Sequence, residues 1–202
     1  MTETSEALAP QYLSFHIAGT DYGLPILTVK EILQHEEPTR VPGAPASVRG
    51  VITVRGAVVP VLDLAVKFGK GETVATKRTC ILAVETRAGG EQLTLGILAD
   101  AVNEVLDLPA GEVEPPPTFG TGVRLDYLTG MGKVGRGFVL LLDVDRVVSA
   151  SEAELAAQAA AQAAAVAAQA AASAGEAPPQ GPEGAAPLVR SSDPGSASTP
   201  NS

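Results

Sequence analysis

The 202-residue sequence predicts an all-β fold: two packed small barrels formed by an internal repeat, followed by an Ala-rich helix and a disordered tail. Three observations predict it. Hydrophobic residues make up 45% of the chain but aromatics only 3%, so the core is built from Val, Leu, Ile and Ala, and clustered Val and Ile favour strands. Two ordered blocks of sequence recur. The composition then changes abruptly near Ser151.

The repeat is legible without gaps. "GLPILTVKEIL" (Gly23 to Leu33) aligns on "GILADAVNEVL" (Gly96 to Leu106), matching Gly23 with Gly96, Val29 with Val102, Glu31 with Glu104 and Leu33 with Leu106. "GVITVRGAVVPVLDL" (Gly50 to Leu64) aligns on "GMGKVGRGFVLLLDV" (Gly130 to Val144), matching Gly50 with Gly130, Val54 with Val134, Val59 with Val139, Leu62 with Leu142 and Asp63 with Asp143. The offset grows from 73 residues in the first block to 80 in the second, so an insertion separates them. The proline-stiffened loop "EVEPPPTFGTG" (Glu112 to Gly122) is its natural place. Two structural copies of about 70 residues follow. One such unit is marginal alone, because small domains bury a low fraction of their surface. Two barrels packed on a shared core resolve this, and the groove between them is a natural binding site.

The elements follow in order. Residues 1–10 are polar and acidic, without the basic start and apolar core of a signal peptide, and are expected to be disordered. "QYLSFHIAG" alternates Leu13, Phe15 and Ile17 with Ser14 and His16, the period of a strand, and "GTDYG" reads as a hairpin turn. "AVVPVLDL" and "FVLLLDV" are strands apolar on both faces, as strands are when a second layer covers them. Pro60 cannot donate to a ladder, which places its strand at an edge or at a bulge. "CILAVETRAGGEQLTLGIL" is strand, Gly-Gly turn, strand. The folded part is 11–150, with a first barrel over about 11–77 and a second over about 78–150, between which strands could exchange. Residues 151–174 read as a single helix, opened by the capping-box spacing of Ser151 and Glu154 and filled with Ala, the best helix former. Residues 175–202 are rich in Pro, Gly, Ser and Ala and cannot bury enough surface to offset their ordering entropy.

Charge and chemistry narrow the function. Residues 1–150 carry 13 Lys and Arg against 18 Asp and Glu, and residues 151–202 carry 1 against 5. Neither part has the basic footprint of nucleic-acid binding, and no aromatic platform suits a single strand. No apolar run of about 18 bulky residues marks a membrane span. A single cysteine, Cys80, fits a reducing compartment and reads as a buried structural thiol at the head of "CILAV". The default is a soluble cytoplasmic protein. The two histidines are His16, facing out from its strand, and His35, in a polar loop; a small hydrolase or metal site built on them is the weak enzymatic alternative. No nucleophile, phosphate-loop or metalloprotease motif occurs, and no cofactor is expected. Asp63 and Asp143 hold the same place in both copies, which suits a fold role at a turn or strand end.

Arg55 departs from the repeat. Its aligned residue is Gly135, and the Arg-Gly pair of the first copy becomes Gly-Arg-Gly in the second. Gly56 gives a tight turn its backbone freedom, so Arg55 stands at the lip of a hairpin, either solvated or held out to a partner.

"SVRGVITVRGAVVPVLDLAVKFG", "TLGILADAVNEVLDL" and "DYLTGMGKVGRGFVLLLDV" closely resemble the CheW-type chemotaxis coupling proteins, over about Gln11 to Val148. The family usually has Asn-Leu-Arg-Gly where this chain has Thr53-Val54-Arg55-Gly56, and often an Arg where it has Ala65. The resemblance implies two five-stranded SH3-like β-barrels around a shared core and no enzymatic activity. It implies an adaptor that couples chemoreceptor cytoplasmic tips to a CheA-type histidine kinase in a signalling array, bound to the kinase's regulatory domain, which is similar in fold. The receptor's helical hairpin would rest near the groove between the barrels, and the array would be reached through partners, without membrane insertion. Carried over by motif, the receptor- and kinase-binding residues are Val29, Glu31, Gly50, Arg55, Gly56, Gly96 and Val105. For the glycines, a purely structural role stands beside the contact role. A scaffold of a related non-flagellar pathway, or a nucleic-acid-binding barrel, are the alternatives.

Overall fold

The computed structural model describes residues 9–87, 92–117 and 122–148, together with nine helical positions between Glu154 and Gln169. The first copy of the repeat forms β1 (Gln11–Ile17), β2 (Thr20–Pro25), β3 (Val29–Gln34), β4 (Val48–Val54), β5 (Ala57–Leu62) and a one-turn helix α1 (Leu64–Lys67). The second forms β6 (Cys80–Thr86), β7 (Leu93–Ala99), β8 (Ala101–Asp107), a short β9 (Val113–Glu114), β10 (Leu128–Val134), β11 (Gly137–Leu142) and α2 (Val144–Val147).

The strands sort into two mixed sheets, in the orders β8-β1-β2-β11-β10-β9 and β3-β6-β7-β5-β4. Under the repeat alignment the two orders are the same: β8, β1, β2, β11 and β10 correspond to β3, β6, β7, β5 and β4. Each copy therefore lends its first two strands to the sheet built by the other copy's last three. The sheets interlock: neither is built from one copy alone. The joints are β1–β8 and β3–β6, antiparallel, and β2–β11 and β5–β7, parallel. Only the three-residue 3-10 turn Ile26–Thr28 separates β2 from β3, and there the chain passes directly from one sheet to the other.

Each sheet curls around its own small core. Leu33, Ile52, Val54, Val59, Val61, Ile81 and Leu98, drawn from all five strands, fill one barrel. Tyr12, Leu106, Leu108, Val113, Val134, Val139 and Leu141 fill the other. A larger shared core lies between them and includes Leu13, Phe15, Ile17, Leu62, Leu82, Val84, Ile97 and Leu142. This explains why β5 and β11 are apolar on both faces: one face meets its barrel's interior, the other the shared core.

A chain of tilted aromatic contacts, Phe15–Tyr22–Phe68–Tyr127, runs through the shared core, with ring centroids 5.6–6.3 Å apart. Tyr22 is fully buried, and its hydroxyl has no partner in good hydrogen-bond geometry among the described residues. Burial pushes its phenol up to about 12, with the Thr20 side chain pulling slightly the other way. An unsatisfied buried hydroxyl is destabilising by about 1–3 kcal/mol. Tyr22→Phe is therefore expected to match or exceed the parent in urea denaturation, and a clear loss of stability would reveal a hydrogen bond to the hydroxyl.

Several local expectations shift. The first hairpin turns at Ala18-Gly19, both at positive φ, and "GTDYG" is mostly strand β2. Within the loop Glu112–Gly122, Val113 and Glu114 pair with β10, giving that sheet its sixth strand. Pro60 lies in an interior strand, opposite Val51. It is tolerated because the parallel pairing of β5 with β7 begins only at Val61, and the bulge falls on β4 between Val48 and Gly50. The described positions from Glu154 to Gln169 are helical; the remainder of the helix expected over 151–174, residues 1–8 and the tail 175–202 lie outside the described residues. Among the described residues no helix is long and apolar enough to cross a membrane.

Candidate partner-binding surfaces

The β4–β5 hairpin closes on Arg55 and Gly56, with Val54 paired to Ala57. Both turn residues have positive φ, 50° and 83°, the signature of a type I′ turn, where Asn or Gly is preferred and Arg is strained. The matching β10–β11 turn has positive φ at Gly135 alone, as a type II′ turn does. The first copy thus places an arginine where its backbone favours Asn, Asp or Gly.

Arg55 is held by a carboxylate 24 residues away. Its Nε donates to Glu31 Oε2 at 3.0 Å and its Nη2 to Glu31 Oε1 at 3.1 Å. This two-point contact raises the guanidinium pKa further and fixes its plane. Glu31 projects from β3, at the opposite edge of the sheet from β4, so the pair joins the two rims of the barrel. Three of the residues suggested by the sequence, Glu31, Arg55 and Gly56, therefore form one surface. Ile32, beside Glu31, is 48% exposed, and its repeat equivalent Val105 is 46% exposed on the other sheet. The sequence reading identified Val105 but not Ile32; the alignment of the two was the signal that could have found it.

The other positions are internal. Val29 is half-buried against the shared core. Gly96 is buried at the parallel joint opposite Val61, and a Cβ there would lie 2.8 Å from Ile81 Cγ2. Gly50 is buried with φ +148°, and a Cβ would lie 2.3 Å from the carbonyl oxygen of Thr39. Of the two readings of these glycines, the structural one fits Gly50 and Gly96: neither offers a surface. Gly56 is exposed, with nothing within 4 Å of a built Cβ.

A cavity of about 440 Å³ opens between the sheets, lined by the β2–β3 crossover, the end of β6 and the start of α2. Leu27 stands in it 93% exposed. Asp145 bridges its walls, accepting from Thr86 Oγ1 at 2.7 Å and Arg87 N at 2.8 Å. Glu85, also lining it, pairs with Lys30, whose hydrogen bond holds the carboxyl below its usual range. On the repeat-related side the segment after α1 narrows the space to about 290 Å³. Thr73 anchors that segment on Asp63. Ala65, the repeat equivalent of Asp145, is buried there in the shared core.

The remaining polar candidates serve the fold or stand apart. Asp63 and Asp143 cap α1 and α2. Cys80 is buried, which pushes its thiol up. His16 Nδ1 lies 2.9 Å from Asp21 Oδ1, and His35 sits in the loop after β3. Among the described residues no three His, Cys, Asp or Glu side chains gather as a metal-ligand set.

The comparisons with known proteins agree with this architecture. Residues 11–152 match the model of the CheW-like domain. The chemotaxis protein CheW of Klebsiella aerogenes is 32% identical over 150 residues, covering 74% of this chain and 88% of that one. Protein FrzA of Myxococcus xanthus is 30% identical over 121 residues, 60% of this chain and 72% of that one. The crystal structure of the scaffolding protein TtCheW from Thermoanaerobacter tengcongensis superposes with a TM-score of 0.64 at 26% identity, covering 75% of this chain and 96% of that one. With a family match over most of its length and the two-barrel fold in place, the chain belongs to the CheW-like family, the non-catalytic scaffolds of chemotaxis signalling.

Proposed function

We propose that the chain couples the cytoplasmic tips of chemoreceptors to a CheA-type histidine kinase, which itself performs the phosphoryl transfer. The observation that carries this reading is Arg55, kept in a strained turn and aimed by Glu31 at the barrel's rim. A strained residue in an exposed turn, oriented by a second charge, points to recognition. The rim surface of Glu31, Ile32 and Arg55 meets the kinase's regulatory domain, with Val105 serving on the second sheet. The groove marked by Leu27 seats the receptor's helical hairpin, since an exposed Leu between rigid walls suits an amphipathic helix. Val29 stiffens the rim from behind. The chain works in the cytoplasm and reaches receptor arrays through these partners. Its control over the kinase is a difference in affinity between active and inactive arrangements, typically about 1–3 kcal/mol.

Two variants test the reading. Arg55→Glu places a second carboxylate beside Glu31 and is expected to weaken binding to the kinase regulatory domain roughly tenfold or more, as charge reversal at an orienting contact does. Arg55→Asn suits the turn backbone better and is expected to lose affinity while keeping or gaining stability. Titration calorimetry against the regulatory domain and a receptor hairpin, with circular dichroism for the fold, gives both quantities. Unchanged affinity of Arg55→Glu for both partners would sink the assignment.

A further inference from the structure

A cavity of about 720 Å³ lies between the outer face of the β4–β5 hairpin, the loop after β3 and the C-terminal helix. Its floor is apolar: Val41, Pro42, Val51 and Val58. Glu36 and Glu37 stand at its rim, with Arg40 beside them. Gln162 and Val166 of the helix form the remaining wall, but Val166 is 66% exposed, so the helix does not fill the space. The described helical positions lie outside the family match at 11–152, so this cavity joins the family domain to a segment beyond it.

The sequence beyond the helix contains one segment complementary to that cavity. After Val166 the only bulky apolar residues are Leu188 and Val189, and the only basic residue in 151–202 is Arg190. They are contiguous, in "PLVR". We propose that Pro187–Arg190 docks in this cavity in cis, with Leu188 and Val189 on the valine floor and Arg190 against Glu36 and Glu37. The reach is sufficient. Seventeen residues, 170–186, connect Gln169 to Pro187, and a chain of that length can reach at most about 60 Å. The way back from Gln169 to Val166 is about 5 Å of helix rise. A short tether gives an effective concentration of about 1 mM, so a segment with a dissociation constant near that value is docked about half the time. Its contact residues Thr53 and Val58 belong to the hairpin that carries Arg55, but the docking stands independently of which partner Arg55 meets.

The test uses the full-length chain. Backbone amide shifts of Thr39, Val41, Val51, Thr53 and Val58 are compared between the parent and the Leu188→Asp/Arg190→Glu double variant. Docking predicts that these amides shift in the variant while those of the other barrel stay fixed. A synthetic peptide spanning residues 183–195, added in excess to the variant, returns them toward the parent positions. Glu36→Lys/Glu37→Lys in the parent shifts the same amides, and that pair combined with Arg190→Glu partly restores them. Identical spectra of parent and double variant would overturn the proposal. So would parent shifts that change on dilution, which would make the occupant a second copy.

Discussion

Gly50→Ala destabilises the fold by about 3 kcal/mol or more. The added Cβ meets backbone, the Thr39 carbonyl at 2.3 Å, where no side chain can swing away. Thr39 and Val51 exchange hydrogen bonds across this point, Thr39 N to Val51 O at 2.8 Å and Val51 N to Thr39 O at 2.9 Å, so relief would break a bridge that fastens the loop after β3 to β4. Overpacking is destabilising by about 1–3 kcal/mol, and a strained non-glycine φ adds about 1–3 kcal/mol. Against a typical total of about 5–15 kcal/mol this is a large fraction. Gly96→Ala loses less, because its neighbours Ile81 and Val61 are side chains that can give. Gly56→Ala loses least, having only the backbone strain of its turn. Urea midpoints should fall in that order. A Gly50→Ala protein with an unchanged midpoint and impaired partner binding would instead make Gly50 a contact residue.

Asp63→Ala is expected to lower stability by about 3 kcal/mol, and Asp143→Ala by about 1 kcal/mol, although the two occupy the same place in the repeat. Asp63 is fully buried. It accepts from Ala65 N at 3.0 Å, from Thr73 N at 2.8 Å and from Thr73 Oγ1 at 2.9 Å, and more weakly from Val66 N at 3.5 Å. Its removal takes away a helix cap, about 1 kcal/mol, and orphans two buried donors of Thr73, about 1–3 kcal/mol each when left unsatisfied. Asp143 caps α2 through one backbone bond, Arg146 N at 3.3 Å, and otherwise meets the exposed Arg146 side chain. Loss of Asp63 should also release the Lys70–Thr79 segment, read as faster amide exchange at Thr73. Equal losses for the two variants would mean that the Thr73 anchor contributes nothing.

The two aspartates show how far the sequence carries. Their repetition marked them as fold residues, and both are helix caps. It did not show that one of them also anchors a loop, because Thr73 lies outside the repeated blocks. The rim site divides in the same way. Arg55 was visible as the residue that breaks the repeat, and Glu31 as one that keeps it. That they form a two-point ion pair depends on the curl of a sheet that brings its outer strands together. Gly50 and Gly96 left two readings open because a glycine in a sequence gives no account of what faces its Cα; the neighbouring carbonyl and methyl groups do.

The sequence by itself determined the number of copies, the β character of each, the apolar faces of β5 and β11, the structural role of Asp63 and Asp143, and the family. The copies and the two aspartates are written in the recurring blocks, the β character and the apolar faces in local period, and the family in the motifs that carry the resemblance. Only the tertiary structure decided that the copies interlock. Two copies with the same strand pattern offer each strand equivalent edges in either barrel, so pairing with its own copy and with the other satisfies the same hydrogen bonds and periodicity. The chain leaves the sheet that holds β2 at Ile26–Thr28 and enters the other with β3. The same geometry leaves the Leu27 groove open on one side, while the Asp63-anchored segment narrows its counterpart.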